Sequence, residues 1–263
     1  MVYRQDHSVS LIDPKRGIIE GVATSFYGDN IQALREAQEH GSVYTMPQLI
    51  QLLSLPHPDL LLLKIPITVL SEEIVGKSKD EKPVAITVHG AGLLTPELIR
   101  ERKINLTKNA SGKEQYAIPF EPEEVYALLE GKLPSGDIEV YSFTDIKKGM
   151  NFPTRYALVR NLDLSREKKS GEHYSFSEMI DDPRTICSAG SVEAAEAHLA
   201  MLTQTHAMLA NFHPLHDLNL DQPQGRFLER RGVVQGLYGC MEMDGIARFL
   251  SVKKNLEEKF ENK

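Results

Sequence analysis

The sequence has no tryptophan, only two cysteines, and aromatic residues at just 7% of its 263 positions. Two thiols, Cys187 and Cys240, cannot build a disulfide framework, and no Cys-x-x-Cys pair offers zinc ligands. A reducing, cytoplasmic setting is therefore expected. Long apolar runs are missing as well. The most apolar stretch, 49–70, is broken by Pro56, His57, Pro58, Asp59, Lys64 and Pro66, whereas a membrane span needs about 20 nearly unbroken apolar residues. Met1 to His7 hold no apolar segment of signal-peptide type, so no secretory signal is expected. Positive charge is in deficit: 30 Lys and Arg stand against 37 Asp and Glu, for a net charge of -7. That balance repels a phosphate backbone, which disfavours nucleic acid as a partner. The short basic groups Lys147-Lys148, Arg166 with Lys168-Lys169, and Arg226 with Arg230-Arg231 read as solvated faces.

What is present is ordinary globular material. Apolar residues make up 41% and charged residues 25%, which excludes collagen-like and mostly disordered chains. The length suffices to bury a sizeable core. Residues 1–252 read as a single α/β domain, followed by a charged, exposed tail over 253–263.

Helix signals are local and clear. Asp29 precedes a helical stripe of Ile31, Leu34 and Ala37 that ends at Gly41. Thr45-Met-Pro-Gln48 reads as a capping box opening a helix that stops before Pro56. Thr95-Pro96 opens another, and Pro122 to Glu130 a further one. Ser175 to Glu178 caps a short helix, and the longest helix is expected from Val192 to about Leu209, with His206 on its buried side and His198 facing solvent. Strands are expected over 60–70, 84–88, 138–143, 155–159, 185–187, 226–228, 233–238 and 246–252. Strands alternating with helices predict an α/β fold: a central, largely parallel sheet with flanking helices, and antiparallel strands added toward the C-terminus.

Three connections carry candidate chemistry. In the first, strand 84–88 runs into His89-Gly-Ala-Gly92 and then a helix. Ligands of parallel sheets bind beyond strand ends, and free amides at a helix start attract anions. Gly90 and Gly92 are thus candidate ligand-binding positions and His89 a candidate acid, base or hydrogen-bonding group. His89-Gly-Ala-Gly92 resembles the His-Gly-Gly-Gly oxyanion motif of lipases over four residues. The chain lacks the Gly-x-Ser-x-Gly elbow, so an ordinary α/β-hydrolase is disfavoured. The alternative is a tight turn with His89 satisfied structurally.

The second connection is Cys187-Ser-Ala-Gly-Ser191. Ser188, Gly190 and Ser191 offer hydroxyls and amides for a phosphate or carboxylate, with Arg184 nearby to clamp it. Cys187, placed at a strand end, is a candidate nucleophile. The bland alternatives are a buried small hydrophobe and a serine that merely caps. The third is the segment 211–226, with His213, His216 and Asp217 as candidate acid-base residues and Arg226 as an anion clamp. A metal role there is weakened by Pro214 and by the absence of His-Glu-x-x-His, so no metal set is singled out, and no motif specifies a cofactor.

Three functions follow. The first is an enzyme or binder for a small anionic ligand gripped by these connections. The second is a cysteine-dependent hydrolase or transferase using Cys187 with His213 or His216. The third is a non-catalytic partner-binding or structural protein. No membrane association is expected, and a homo-oligomer is compatible with the acidic balance and the apolar run near Leu60.

Overall fold

A computed structural model describes residues 1–13, 17–56, 59–102, 105–108, 114–162, 173–202, 206–208, 220–231, 237–239 and 246–253. The chain opens with β1 (Tyr3–Asp13) and β2 (Gly17–Asp29), antiparallel from Tyr3 opposite Tyr27 to Asp13 opposite Gly17. Then come α1 (Asn30–His40), β3 (Gly41–Val43), α2 (Met46–Ser54), α3 (Leu60–Lys64), β4 (Pro66–Lys77), β5 (Pro83–His89) and α4 (Pro96–Glu101). The middle holds β6 (Asn105–Lys108), β7 (Glu114–Pro119), α5 (Pro122–Leu129), β8 (Glu139–Ser142), β9 (Tyr156–Asn161) and β10 (His173–Ser175). The last part holds α6 (Phe176–Ile180), α7 (Pro183–Ala189), α8 (Val192–Ala200), β11 (His206–Met208), β12 (Gln224–Arg231), β13 (Leu237–Gly239) and β14 (Ile246–Lys253).

The expected parallel sheet is not what forms. Twelve of the described strands make one mixed sheet with the path β1-β2-β14-β4-β12-β7-β6; β3 branches from β14, β13 from β12, and β5, β9 and β8 in succession from β4. Only β14 with β4 and β8 with β9 pair in parallel; the other pairings are antiparallel. The misreading has a physical cause. Strand β4 is buried almost throughout and β5 from Val84 to His89, and a strand covered on both faces shows the continuous apolar run typical of parallel sheets, whatever its partners' direction. One face carries Leu34 of α1, Ile99 of α4 and Val125 of α5 against Ile74, Ile86, Phe227 and Phe249. The other carries Leu49 and Leu53 of α2, Ile186 of α7 and Leu199 of α8 against Ile67, Val69 and Leu228.

Local corrections follow the same logic. Leu60–Lys64 is a short helix, because Asp59 accepts the Leu61 amide at 2.8 Å and caps it; the strand begins only at Pro66. Residues 185–187 are helical within α7, since Asp182 caps at Thr185 N (2.9 Å) and Gly190 closes the helix at φ 99°. Helix α8 stops at Ala200, and His206 lies in strand β11. His198 is fully buried, and so is Arg230, which had read as part of a solvated basic group. The expected tail lies outside the described residues beyond Lys253.

Candidate functional site

The turn after β5 is built around two buried side chains. His89 Nε2 lies 2.8 Å from the Cys187 carbonyl, which can only accept, so Nε2 carries the proton. Nδ1 then accepts from Ser71 Oγ at 2.9 Å, and Ser71 Oγ accepts the Met46 amide at 2.9 Å. Burial lowers the His89 pKa to about 4, against the Cys187 carbonyl contact, which raises it. The imidazole is neutral at pH 7 and ties β4, β5, α2 and α7 together.

The amides of this turn that hold a carboxyl group are those of Leu93 and Leu94, not that of Gly90, whose N–H donates to Leu70 O at 3.0 Å, and the group they hold is the protein's own. Leu93 N–H and Leu94 N–H donate to the two oxygens of Glu72 at 2.5 and 2.8 Å. Burial pushes the Glu72 carboxyl up to about 7, with the two amide bonds opposing. Gly92 is required here because a β-carbon would collide with Glu72 Oε1, while Gly90 supplies a φ of 93°.

The caps of the α7–α8 turn are also met from within, while buried Ser188 Oγ has no hydrogen-bond partner among the described residues. Gly190 N–H donates to Ile186 O, Gly190 O accepts from Tyr156 Oη, and Ser191 Oγ accepts the Ala194 amide at 3.0 Å. Cys187 has no exposed surface and packs with Tyr156 and Leu158. Arg184 Nε lies 4.0 Å from Asp182. Across the sheet, Arg226 stands opposite Glu73, Glu73 opposite Thr87 and Thr87 opposite Leu158, so these side chains share the face that α7 covers. Glu73 also pairs with buried Arg160 at 3.0 Å. The structure thus brings His89, Arg184, Cys187, Ser188 and Arg226 to one layer, but as a buried polar layer beneath a helix. His213, His216 and Asp217 lie outside the described residues. The geometry carries an expected result: Cys187 resists alkylation in the native protein and reacts rapidly once unfolded. Peptide mapping after a short iodoacetamide pulse checks this, and rapid native labelling would contradict it.

A groove that sequence patterns did not indicate lies on the surface nearby. It encloses about 530 Å³ between α2, the start of α8 and residues 150–154. Its floor is apolar, with Pro47, Ile50, Leu55, Ala194 and Ala197; its rim carries Gln48, Gln51, Asn151, Thr154 and Ser191. Lys148 pairs with Glu196 at 2.6 Å and Gly149 N–H donates to Glu193, which clips the 147–154 segment over α8. Phe152 stacks on Tyr156 with centroids 4.7 Å apart. Among the lining residues Glu193 is the one charged side chain, and no Lys, Arg or His lines the groove. Of the residues singled out from sequence, Ser191 reaches it. The rest comes from three distant segments, and no local signal marks it.

No family model matches the chain, and no curated protein matches it. Similarity does emerge with a solved structure, described as the accommodation of massive sequence variation in Nanoarchaeota by the C-type lectin fold. The two are 26% identical, the match covers 88% of this chain and 97% of that one, and the TM-score is 0.67. The mixed, mostly antiparallel sheet is therefore similar to a C-type lectin fold. Among the described residues, no helix is long and apolar enough to cross a membrane.

Proposed function

We propose that this chain is a binding protein that takes a small neutral ligand in the groove between α2, α8 and residues 150–154. The likeness to the C-type lectin fold structure supports a recognition role, and by analogy with its description we extend to this chain a scaffold that accommodates sequence variation. The observation that carries the reading is the lining itself: amides and hydroxyls around an apolar floor, one carboxylate already engaged by Gly149 N–H, and no basic side chain. Such a lining suits a ligand with hydrogen-bonding groups and an apolar face, and disfavours a phosphate or carboxylate. The anion-binding reading of the two turns loses support because Glu72 and the α7 and α8 caps already use the amides there.

Gln51, Asn151 and Thr154 are exposed, line the groove, and make no hydrogen bond or ion pair within the described residues. Replacing all three by alanine should move the melting temperature by only about 2 °C or less, since exposed substitutions without partners cost at most about 0.5 kcal/mol each. Ligand-observed NMR against neutral oligosaccharides, short uncharged peptides and sugar phosphates is the test. Neutral hits that bind the native protein and lose at least tenfold affinity in the triple variant support the proposal. Hits confined to sugar phosphates, or hits unaffected by the variant, overturn it.

A further inference from the structure

At α8 and β12, two buried polar side chains stand without hydrogen-bonding counterparts among the described residues. Arg230 of β12 and His198 of α8 both have no exposed surface. Arg230 Nη1 makes one long contact, 3.5 Å to the Leu63 carbonyl. Its Nε and Nη2 have no hydrogen-bond partner among the described residues, and neither ring nitrogen of His198 has one. The two groups are close enough that the Arg230 charge, after burial, helps to hold the His198 pKa down, to about 3. On the same side of the sheet lie Leu62, Ile67, Leu199, Leu202 and Leu228, and Glu73, a buried carboxylate on that face, is engaged by Arg160 at 3.0 Å.

This arrangement is costly as it stands. An unpaired guanidinium in apolar surroundings loses several kcal/mol of hydration, and arginine does not relieve that by giving up its proton: its pKa falls only to about 10. The two donors that lack partners are also the two that matter for recognition. Nε–H and Nη2–H lie along one edge of the guanidinium, parallel and spaced to meet both oxygens of a planar oxyanion. Neutral His198 carries one further N–H. By contrast, buried Arg160 pairs with Glu73, and buried Glu72 accepts two backbone amides.

We propose that Arg230 and His198 form an internal receptor for a small planar oxyanion of the carboxylate class, with the Arg230 edge binding both oxygens and the His198 N–H adding a third donor. The site is separate from the groove, whose lining includes neither Arg230 nor His198, and its occupant completes the core at α8.

Formate is the probe. The full-length protein is titrated with sodium formate against sodium fluoride at fixed ionic strength, and melting temperature is followed together with saturation transfer to the formate proton. Formate should raise the melting temperature by several degrees and then saturate, as binding to the folded state alone requires. In Arg230→Met the response should vanish, while the melting temperature without formate equals or exceeds that of the native chain, because an apolar isostere replaces an uncompensated charge. Arg230→Lys keeps the charge but not the fork, so it should lose at least tenfold in formate affinity; it also serves if the methionine variant does not fold. Arg4→Met, at an exposed ion pair, should respond as the native protein does. A native protein indifferent to formate, or an undiminished response in Arg230→Met or Arg230→Lys, overturns the proposal.

Discussion

Gly92→Ala is expected to destabilise the protein by about 3 kcal/mol, and to cost far less in a chain that already carries Glu72→Ala. The reason is geometric. The new β-carbon meets Glu72 Oε1, and that oxygen cannot swing aside, because the carboxylate is buried and both its oxygens hold amides of the same turn. Overpacking a rigid site costs about 1–3 kcal/mol, and displacing the carboxylate leaves buried amides unpaired at about 1–3 kcal/mol each. With Glu72 removed the collision disappears, so the two substitutions should couple by about 2 kcal/mol or more in a double-mutant cycle read by urea unfolding. Simple additivity would show that Glu72 does not hold the turn.

The second large effect is on acid stability. His89 and His198 have folded pKa values near 4 and 3, below their ordinary 6.5. Depressed histidines stabilise the fold above pH 6.5 and lose that contribution as pH falls through the folded values. Glu72 acts oppositely: raised from 4.5 to about 7, it contributes most below pH 4.5 and loses this as pH rises through 7. Between pH 6.5 and 4.5 two protons bind on unfolding for one released, a net loss of about 1.4 kcal/mol per pH unit. Below 4.5 the opposition ends and the loss steepens. Stability should therefore be nearly level between pH 8 and pH 6.5, where the Glu72 and histidine contributions change in opposite directions and offset each other, and fall by about 3 kcal/mol by pH 4. Urea midpoints across this range provide the measurement. His198→Leu should flatten the acid limb and Glu72→Gln should steepen it; an unchanged limb in either variant would falsify that assignment.

These results bear on what local sequence conveys. The caps at Asp29, Thr95, Ser175 and Ser191, and the Thr45–Gln48 contact, were all legible, because each hydrogen bond spans two to four residues. Strand positions were largely legible too, but their direction was not. The residues of β4 and β5 are buried on both sides, and an unbroken apolar run does not record which way the neighbour points. In the site, His89, Cys187 and Arg226 stand out as unusual, yet whether they face a ligand or the core depends on how α7 packs against strands distant in sequence, with His89 and Cys187 separated by 98 residues. No local signal marks Glu72, because a glutamate within Leu70-Ser-Glu-Glu-Ile-Val75 looks like the wet side of a strand. Nothing nearby in sequence announces that its acceptors serve Leu93 and Leu94. The groove was invisible for a related reason: its walls are three separate segments, each with an ordinary surface composition.

The path of the sheet also fixes an order of events. Strand β14 sits between β2 and β4, so among the described strands the opening hairpin reaches the rest of the sheet only through residues 246–253. A nascent chain still missing those residues holds two incomplete pieces with bare edges. Because ribosomes deliver the bridging strand after everything it joins, the sheet must close late, through contacts of long sequence separation, and the emerging protein depends on those edges staying unpaired until then.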